Sequence, residues 1–180
     1  MSENVGFYPT TQLNPYTTTI GSEGTYQSIM SYIYGASSYE VMASASAATT
    51  STALGYSGLS LSFKPTNSQQ ALILYDIFCG NNAATVDLNM SLYIDSNAPP
   101  ASGSAPPATA TQIDSISPPL GSFRSQTLLL TNSQVYGGAN SGTAITLSLN
   151  TTYYLTWYIS SVTSGSVASL QVYGLSIQSI

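Results

Sequence analysis

The chain has 180 residues, enough for one domain with a full core, and 43% of them are hydrophobic, which is too many for intrinsic disorder. Charge is scarce: Asp, Glu, Lys and Arg make up 5% of the chain, against about 25% in an ordinary globular protein, and the net charge is −5. One Lys (Lys64) and one Arg (Arg124) cannot neutralise several phosphates, which excludes electrostatic binding of nucleic acid or of an anionic membrane surface. With no His and a single Cys, Cys79, the chain has no Ser-His-Asp triad, no Cys-His pair, no intrachain disulfide and no His- or Cys-based zinc site.

Residues 1–20 are rich in Thr, Asn and Pro, with Phe7, Tyr8 and Tyr16 as anchors. They read as an extended arm that packs on a neighbouring subunit, or as a tail. They have neither the positive start nor the apolar run of a signal peptide, so no secretion signal is expected. No stretch of the chain approaches the roughly 20 apolar residues of a membrane helix. Residues 21–180 read as a single domain. Alternation predicts two strands within 25–48, one carried by Tyr26, Met30, Tyr32 and Tyr34, the other by Val41, Ala43, Ala45 and Ala47. A short helix near 29–33 is the alternative for the first.

Strict alternation continues along the chain. Leu59, Leu61 and Phe63 alternate with Ser60, Ser62 and Lys64, and Pro65 ends the run. Residues 70–79 are almost continuously apolar. Leu72, Leu74, Asp76 and Phe78 share one face, and Ile73, Tyr75, Ile77 and Cys79 the other. This predicts a strand covered on both sides, at a contact between subunits. Leu88, Met90, Leu92 and Ile94 mark a half-buried strand. Residues 97–121 hold six of the nine prolines and read as a long exposed loop or mobile spacer.

Further strands are expected at 125–131, at 145–150 and at 153–160. In the last, Leu155, Trp157 and Ile159 face one way and Tyr154, Thr156 and Tyr158 the other. A final strand spans 167–180, where the parity slips by one near Gly174 and predicts a bulge. Short strands between polar turns imply an all-β, antiparallel sandwich.

The chemistry-bearing residues form no catalytic pattern. Ser57 misses the G-x-S-x-G elbow because residue 59 is Leu, and Lys64 has Leu61 where an S-x-x-K motif needs Ser. Seven acids allow many pairs and specify none. Asp87 and Asp95 share a strand face but lie about 26 Å apart along it. No calcium loop is present. No enzyme activity, metal or cofactor is therefore expected. Asp76 interrupts an apolar run, which places it in the core or at a contact, with Arg124 as the available guanidinium. Tyr153, Tyr154, Trp157 and Tyr158 crowd one strand, a pattern that suits core and interface packing better than a sugar platform. Asn89 and Asn150 begin glycosylation sequons. The candidate oligomer-interface residues are Phe7, Tyr8, Tyr75, Asp76, Arg124, Tyr154 and Tyr158.

The order Gly58-Leu59-Ser60-Leu61-Ser62-Phe63-Lys64-Pro65, Ala71-Leu72-Ile73-Leu74, Leu92-Tyr93-Ile94-Asp95, a long loop, then Leu175-Ser176-Ile177-Gln178-Ser179-Ile180 resembles the jelly-roll head domains of viral spike, fibre and capsid proteins. The resemblance spans residues 39–180. It implies the fold shared with complement C1q and tumour necrosis factor, trimerisation through a sheet face, and loops that meet a receptor. It brings no catalytic residues. The scarcity of charge is similar to that of virion proteins of archaeal viruses from hot, acidic springs.

The expectation is a virion structural protein, a capsid, spike or turret subunit located in the virion. It would form homo-oligomers, trimers above all, and contact other virion proteins and a host-surface receptor or glycan. An extracellular filament subunit assembled by strand donation, a carbohydrate-binding module and an acid hydrolase are the alternatives.

Overall fold

A computed structural model describes residues 39–42, 45–66, 68–81 and 83–179; the strand expected at 26–34 and the anchors Phe7 and Tyr8 lie outside the described residues. The described chain is all-β. Its strands are β1 (Tyr39–Met42), β2 (Ala45–Thr49), β3 (Gly55–Phe63), β4 (Ala71–Cys79), β5 (Leu88–Asp95), β6 (Thr111–Ile116), β7 (Ser122–Leu130), β8 (Val135–Tyr136), β9 (Tyr153–Ser161) and β10 (Ala168–Ser179). They form two antiparallel sheets. Sheet I runs β1-β10-β4-β7-β8, with β2 also pairing β10, and sheet II runs β3-β9-β5-β6.

The pairing has a simple logic. Outward from the β5–β6 connection, the pairs β5:β6, β4:β7, β3:β9 and β2:β10 are successive rungs of one antiparallel ribbon. The ribbon is wrapped so that alternate rungs fall in opposite sheets. Every rung then offers one face to the interior, which the period-2 alternation fills.

Ile73, Tyr75 and Ile77 of β4, Leu88, Met90 and Leu92 of β5, Leu155, Trp157 and Ile159 of β9, and Leu170, Val172, Leu175 and Ile177 of β10 are buried together. Each such side chain contributes about 1.5–3 kcal/mol on leaving water. Trp157 of sheet II stands edge-on to Tyr75 of sheet I, with ring centroids 4.8 Å apart.

The expected bulge is present. The β10–β4 register shifts between Val172 and Gly174, which turns Tyr173 outward beside the buried Val172.

Three elements differ from expectation. β6 lies inside the proline-rich stretch read as a loop, because Pro106, Pro107, Pro118 and Pro119 all fall outside it and leave six residues free to pair. The short β8 follows a turn and pairs only the end of β7. Residues 145–149 form no strand, although Ile145 and Leu147 are buried. Side chains replace the ladder there. Gln69 Nε2 donates to the Leu147 carbonyl at 2.7 Å, and the Tyr153 hydroxyl accepts from the Ser148 amide at 2.8 Å.

The remaining loop, 96–110, is a strap across sheet II. It starts at β5 and ends at β6. In between, Gly103 donates its amide to the Tyr56 carbonyl, and Tyr56 donates its own to the Ser104 carbonyl, both at 2.8 Å. Tyr56 lies on β3, beyond β9, so the loop passes over the outer side of β9 in both directions. This explains why Tyr158 and Thr156, which point away from the core, are nevertheless buried.

The sheets are also pinned at their β6–β8 side. The Tyr75 hydroxyl donates to Asp114 Oδ2, while Oδ1 accepts the amides of Ser115 and Ala139 at 2.9 and 2.8 Å. Tyr75→Phe therefore removes a buried donor, and we expect a loss of about 1–3 kcal/mol in denaturant unfolding. Tyr136→Phe, on the surface, should change stability by less than about 0.5 kcal/mol.

Candidate functional site

The side chains expected at subunit contacts separate into three environments. Phe7 and Tyr8 are outside the described residues. Tyr75 and Tyr158 are buried within the chain, the first in the core against Trp157 and Asp114, the second under the strap between Tyr56 and Tyr93. They are not surface groups, because the opposite sheet and the strap already cover them. Tyr154 is half-buried on the outer face of sheet II, paired with Asp95 and Ser62.

Asp76 and Arg124 do not meet. Asp76 pairs with Ser125 across the β4–β7 ladder, and Arg124 pairs with Ile77. Neighbours along a strand point to opposite faces, so the two charges lie on opposite sides of sheet I. Arg124 is exposed, and its Nη1 donates to the Phe123 carbonyl at 3.0 Å. Asp76 is half-buried on the outer face. The buried carboxylates among the described residues are instead Asp114 and Asp95.

Asp114 and Asp95 have no cation beside them among the described residues and are held by neutral donors. Asp114 has a phenol and two amides, and its hydrogen bond together with burial pushes the Tyr75 hydroxyl far above the usual tyrosine range. Asp95 sits at the neck of the strap. Its Oδ2 accepts from Thr109 Oγ1 at 2.6 Å, and its Oδ1 accepts from the Asn97 amide and Nδ2 at 2.9 and 3.0 Å. Burial opposes ionisation of Asp95, but the bonds from Thr109, Asn97 and the Ser96 amide outweigh it and leave the carboxyl below its ordinary range. Both are fastening points, with their oxygens already occupied.

The outer face of sheet I is different. Its side chains form cross-strand rows: Leu72 with Leu129; Ser176, Leu74 and Thr127; Gly174, Asp76 and Ser125; then Phe78 with Phe123. Phe123, Tyr173 and Leu74 are 51%, 49% and 43% exposed. The rings of Phe123 and Tyr173 approach to 5.9 Å, tilted by 42°. They come from β7 and β10, which flank β4, so they converge over the half-buried Phe78. Beside them is an open hollow of about 290 Å³, bordered by Leu74, Asp76, Ser125, Thr127, Gly174 and Ser176.

The hollow exists because Gly174 has no side chain. A Cβ placed there meets nothing within 4 Å. The Asp76 carboxylate, at the same level, takes no hydrogen bond from a described residue. The surface thus brings together aromatic faces, hydroxyls and a carboxylate able to accept hydrogen bonds.

The sequence signal for it was the apolar outward parity of β4. Phe123 gave none, since it stands alone between Ser122 and Arg124, and Tyr173 shares its parity with Leu175 and Ile177, which are buried. Among the described residues no group of three His, Cys, Asp or Glu is placed to hold a metal ion.

No protein-family model matches the sequence, and no curated protein matches it. Among solved structures, the chain is similar to a conserved carbohydrate esterase from the Shiga toxin-encoding bacteriophage phi24B. The identity is 10% and the TM-score 0.34, over 78% of this chain and 89% of that one. A likeness of that size carries no argument about function.

The neck of the strap makes a pH prediction. A carboxyl with a lowered folded value adds stability that is complete above about pH 4 and is lost as pH falls through the folded value. Melting temperature measured against pH should therefore fall below about pH 4, and Asp95→Asn should be less stable at neutral pH with a flatter curve in that range.

Proposed function

We propose that the protein is a structural subunit of a virion, a capsid, spike or turret component that assembles with copies of itself and contributes to host attachment. The sandwich is, in this reading, a jelly roll. The observation that carries the reading is the ribbon: rungs β5:β6, β4:β7, β3:β9 and β2:β10 alternate between the sheets. That winding is the one expected of a double-sheet jelly roll, a form used by viral capsid and lectin domains.

The surface chemistry agrees with assembly. A chain that is 5% charged has little repulsion between identical copies. The chain carries 31 Ser and 21 Thr, hydroxyls that stay neutral across the pH scale of water. The strap, fastened at the Asp95 neck and at Tyr56, is a rigid surface of the kind that a packed shell or a spike requires.

Native mass spectrometry and negative-stain microscopy of the full chain test this. A closed oligomer, a trimer first of all, is expected. A monomer at every concentration would overturn the subunit reading. Open-ended polymers would replace capsid or spike with a filament built by strand donation.

A further inference from the structure

We propose that the hollow on the outer face of sheet I binds a neutral sugar residue of a surface glycan. The proposal rests on the attachment part of the preceding reading and gives it a site and a ligand class.

The argument begins with what the hollow offers. Phe123 and Tyr173, close in the chain to the lining residues Ser125 and Gly174, present exposed rings beside it, outside its lining. The C–H face of a pyranose is apolar and packs on such rings, while its rim of hydroxyls needs polar partners. Those partners stand one row away, about 6.8 Å along the strands: Asp76 on β4 and Ser125 on β7, with Thr127 and Ser176 in the row beyond. Asp76 can accept hydrogen bonds from two adjacent sugar hydroxyls, and nothing described in the chain competes for it. The hollow, about 290 Å³ and open to solvent, has room for one hexose.

A second copy of the chain is the competing occupant. Seated flat on this face it would bury Asp76, and the chain's Arg and Lys are not placed to accompany it: Arg124 lies on the opposite side of sheet I, and Lys64 follows β3 in sheet II. The copy would have to bring neutral donors in fixed positions, as Asp114 and Asp95 receive inside the fold. A sugar ring carries adjacent hydroxyl donors of its own, and oligomeric state, read beside sugar binding, separates the two occupants. The Asp76 carboxylate disfavours uronic or sialic acids, so the specificity is for neutral hexoses.

The test uses the full-length protein and saturation-transfer NMR with mannohexaose and maltohexaose, and an oligogalacturonate as the acidic control. At least one neutral oligosaccharide should bind weakly and the acidic one should not. Asp76→Ala, Phe123→Ala and Tyr173→Ala should each weaken binding by about tenfold or more. Gly174→Val should fill the hollow and abolish binding while keeping the melting temperature, because its side chain enters open space. All four positions face outward, so the fold serves as its own control.

Failure of both neutral probes to bind overturns the proposal. So does binding that is unaffected by the four substitutions. If the substitutions change the oligomeric state and leave sugar binding unchanged, the face is a subunit contact and the proposal falls. A monomer that binds the sugar would sink the virion-subunit reading and leave the site standing. An oligomer that binds none would do the reverse.

Discussion

The closure of the sandwich depends on a carboxylate that has no counter-ion. Asp114 on β6 is fully buried and joins three elements: the Tyr75 phenol of β4, its own strand through Ser115, and the turn after β8 through Ala139. A salt bridge was hardly available in a chain with two cationic side chains. Neutral donors do the work instead, and each must arrive with the right geometry. Gly138 shows how tight the fit is. Its φ is +66°, and a Cβ there would come within 2.6 Å of Asp114 Oδ1. A glycine, a phenol and an aspartate from three parts of the chain are thus mutually required. Without them β6, which buries only Ile113 and part of Ile116, has little else to hold it against sheet I.

The same device recurs at Asp95, where Thr109 and Asn97 close the neck of the strap. Both carboxylates therefore fasten loops whose backbones could not otherwise settle on a surface made of hydroxyls. The arrangement has a consequence for acid. Salt bridges at a surface fail once their carboxylates take up protons, whereas Ser and Thr hydroxyls do not titrate. At Asp95 burial opposes ionisation, but the bonds from Thr109, Asn97 and the Ser96 amide outweigh it and hold the carboxyl below its ordinary range. The strap holds Tyr56, Tyr93 and Tyr158 under cover, so the integrity of that aromatic cluster follows the state of one side chain at its neck.

Much of this order is written in the sequence as parity. The inward sets Leu88, Met90, Leu92 and Ile94 and Leu155, Trp157 and Ile159, and the slip near Gly174, all reappear in the strands, but β5 is more than half-buried, since Ser91 and Asp95 on its other face are covered too. Parity fails where both faces of a strand are apolar. On β4, Leu72, Leu74 and Phe78 compete with Ile73, Tyr75 and Ile77 for the interior, and the pattern cannot choose. Partners choose: the odd set meets Leu128 and Leu130, which are buried, and the even set meets Phe123, Ser125 and Thr127, which are exposed. Asp76 lies half-buried on the outer face for this reason. β6 was hidden because the prolines on either side of it dominate the composition, although none enters the strand. The missing ladder at 145–149 could not be foreseen, since the Ile145 amide goes to the Ser133 carbonyl and the carbonyls of Thr146 and Leu147 and the Ser148 amide go to the Tyr153 and Gln69 side chains.

The hollow shows what a legible irregularity can leave unsaid. A bulge is one extra residue, and it leaves that residue unpaired and the strand bent. Here the extra residue has two effects at once. It turns Tyr173 outward toward Phe123, and it sets Gly174, without a side chain, at the level of Asp76. The aromatic wall and the empty floor beside it are therefore one event in the chain, not two. A regular β10 would carry an unbroken alternation, and Tyr173 and Gly174 could not hold these places. A bulge weakens pairing where it occurs, and sheet I tolerates it in a central strand flanked by β4 on one side and by β1 and β2 on the other. The break in pairing lies at the level of Asp76, whose carboxylate takes no hydrogen bond from a described residue, so one irregularity sets the aromatic pair, the open floor and the carboxylate side by side.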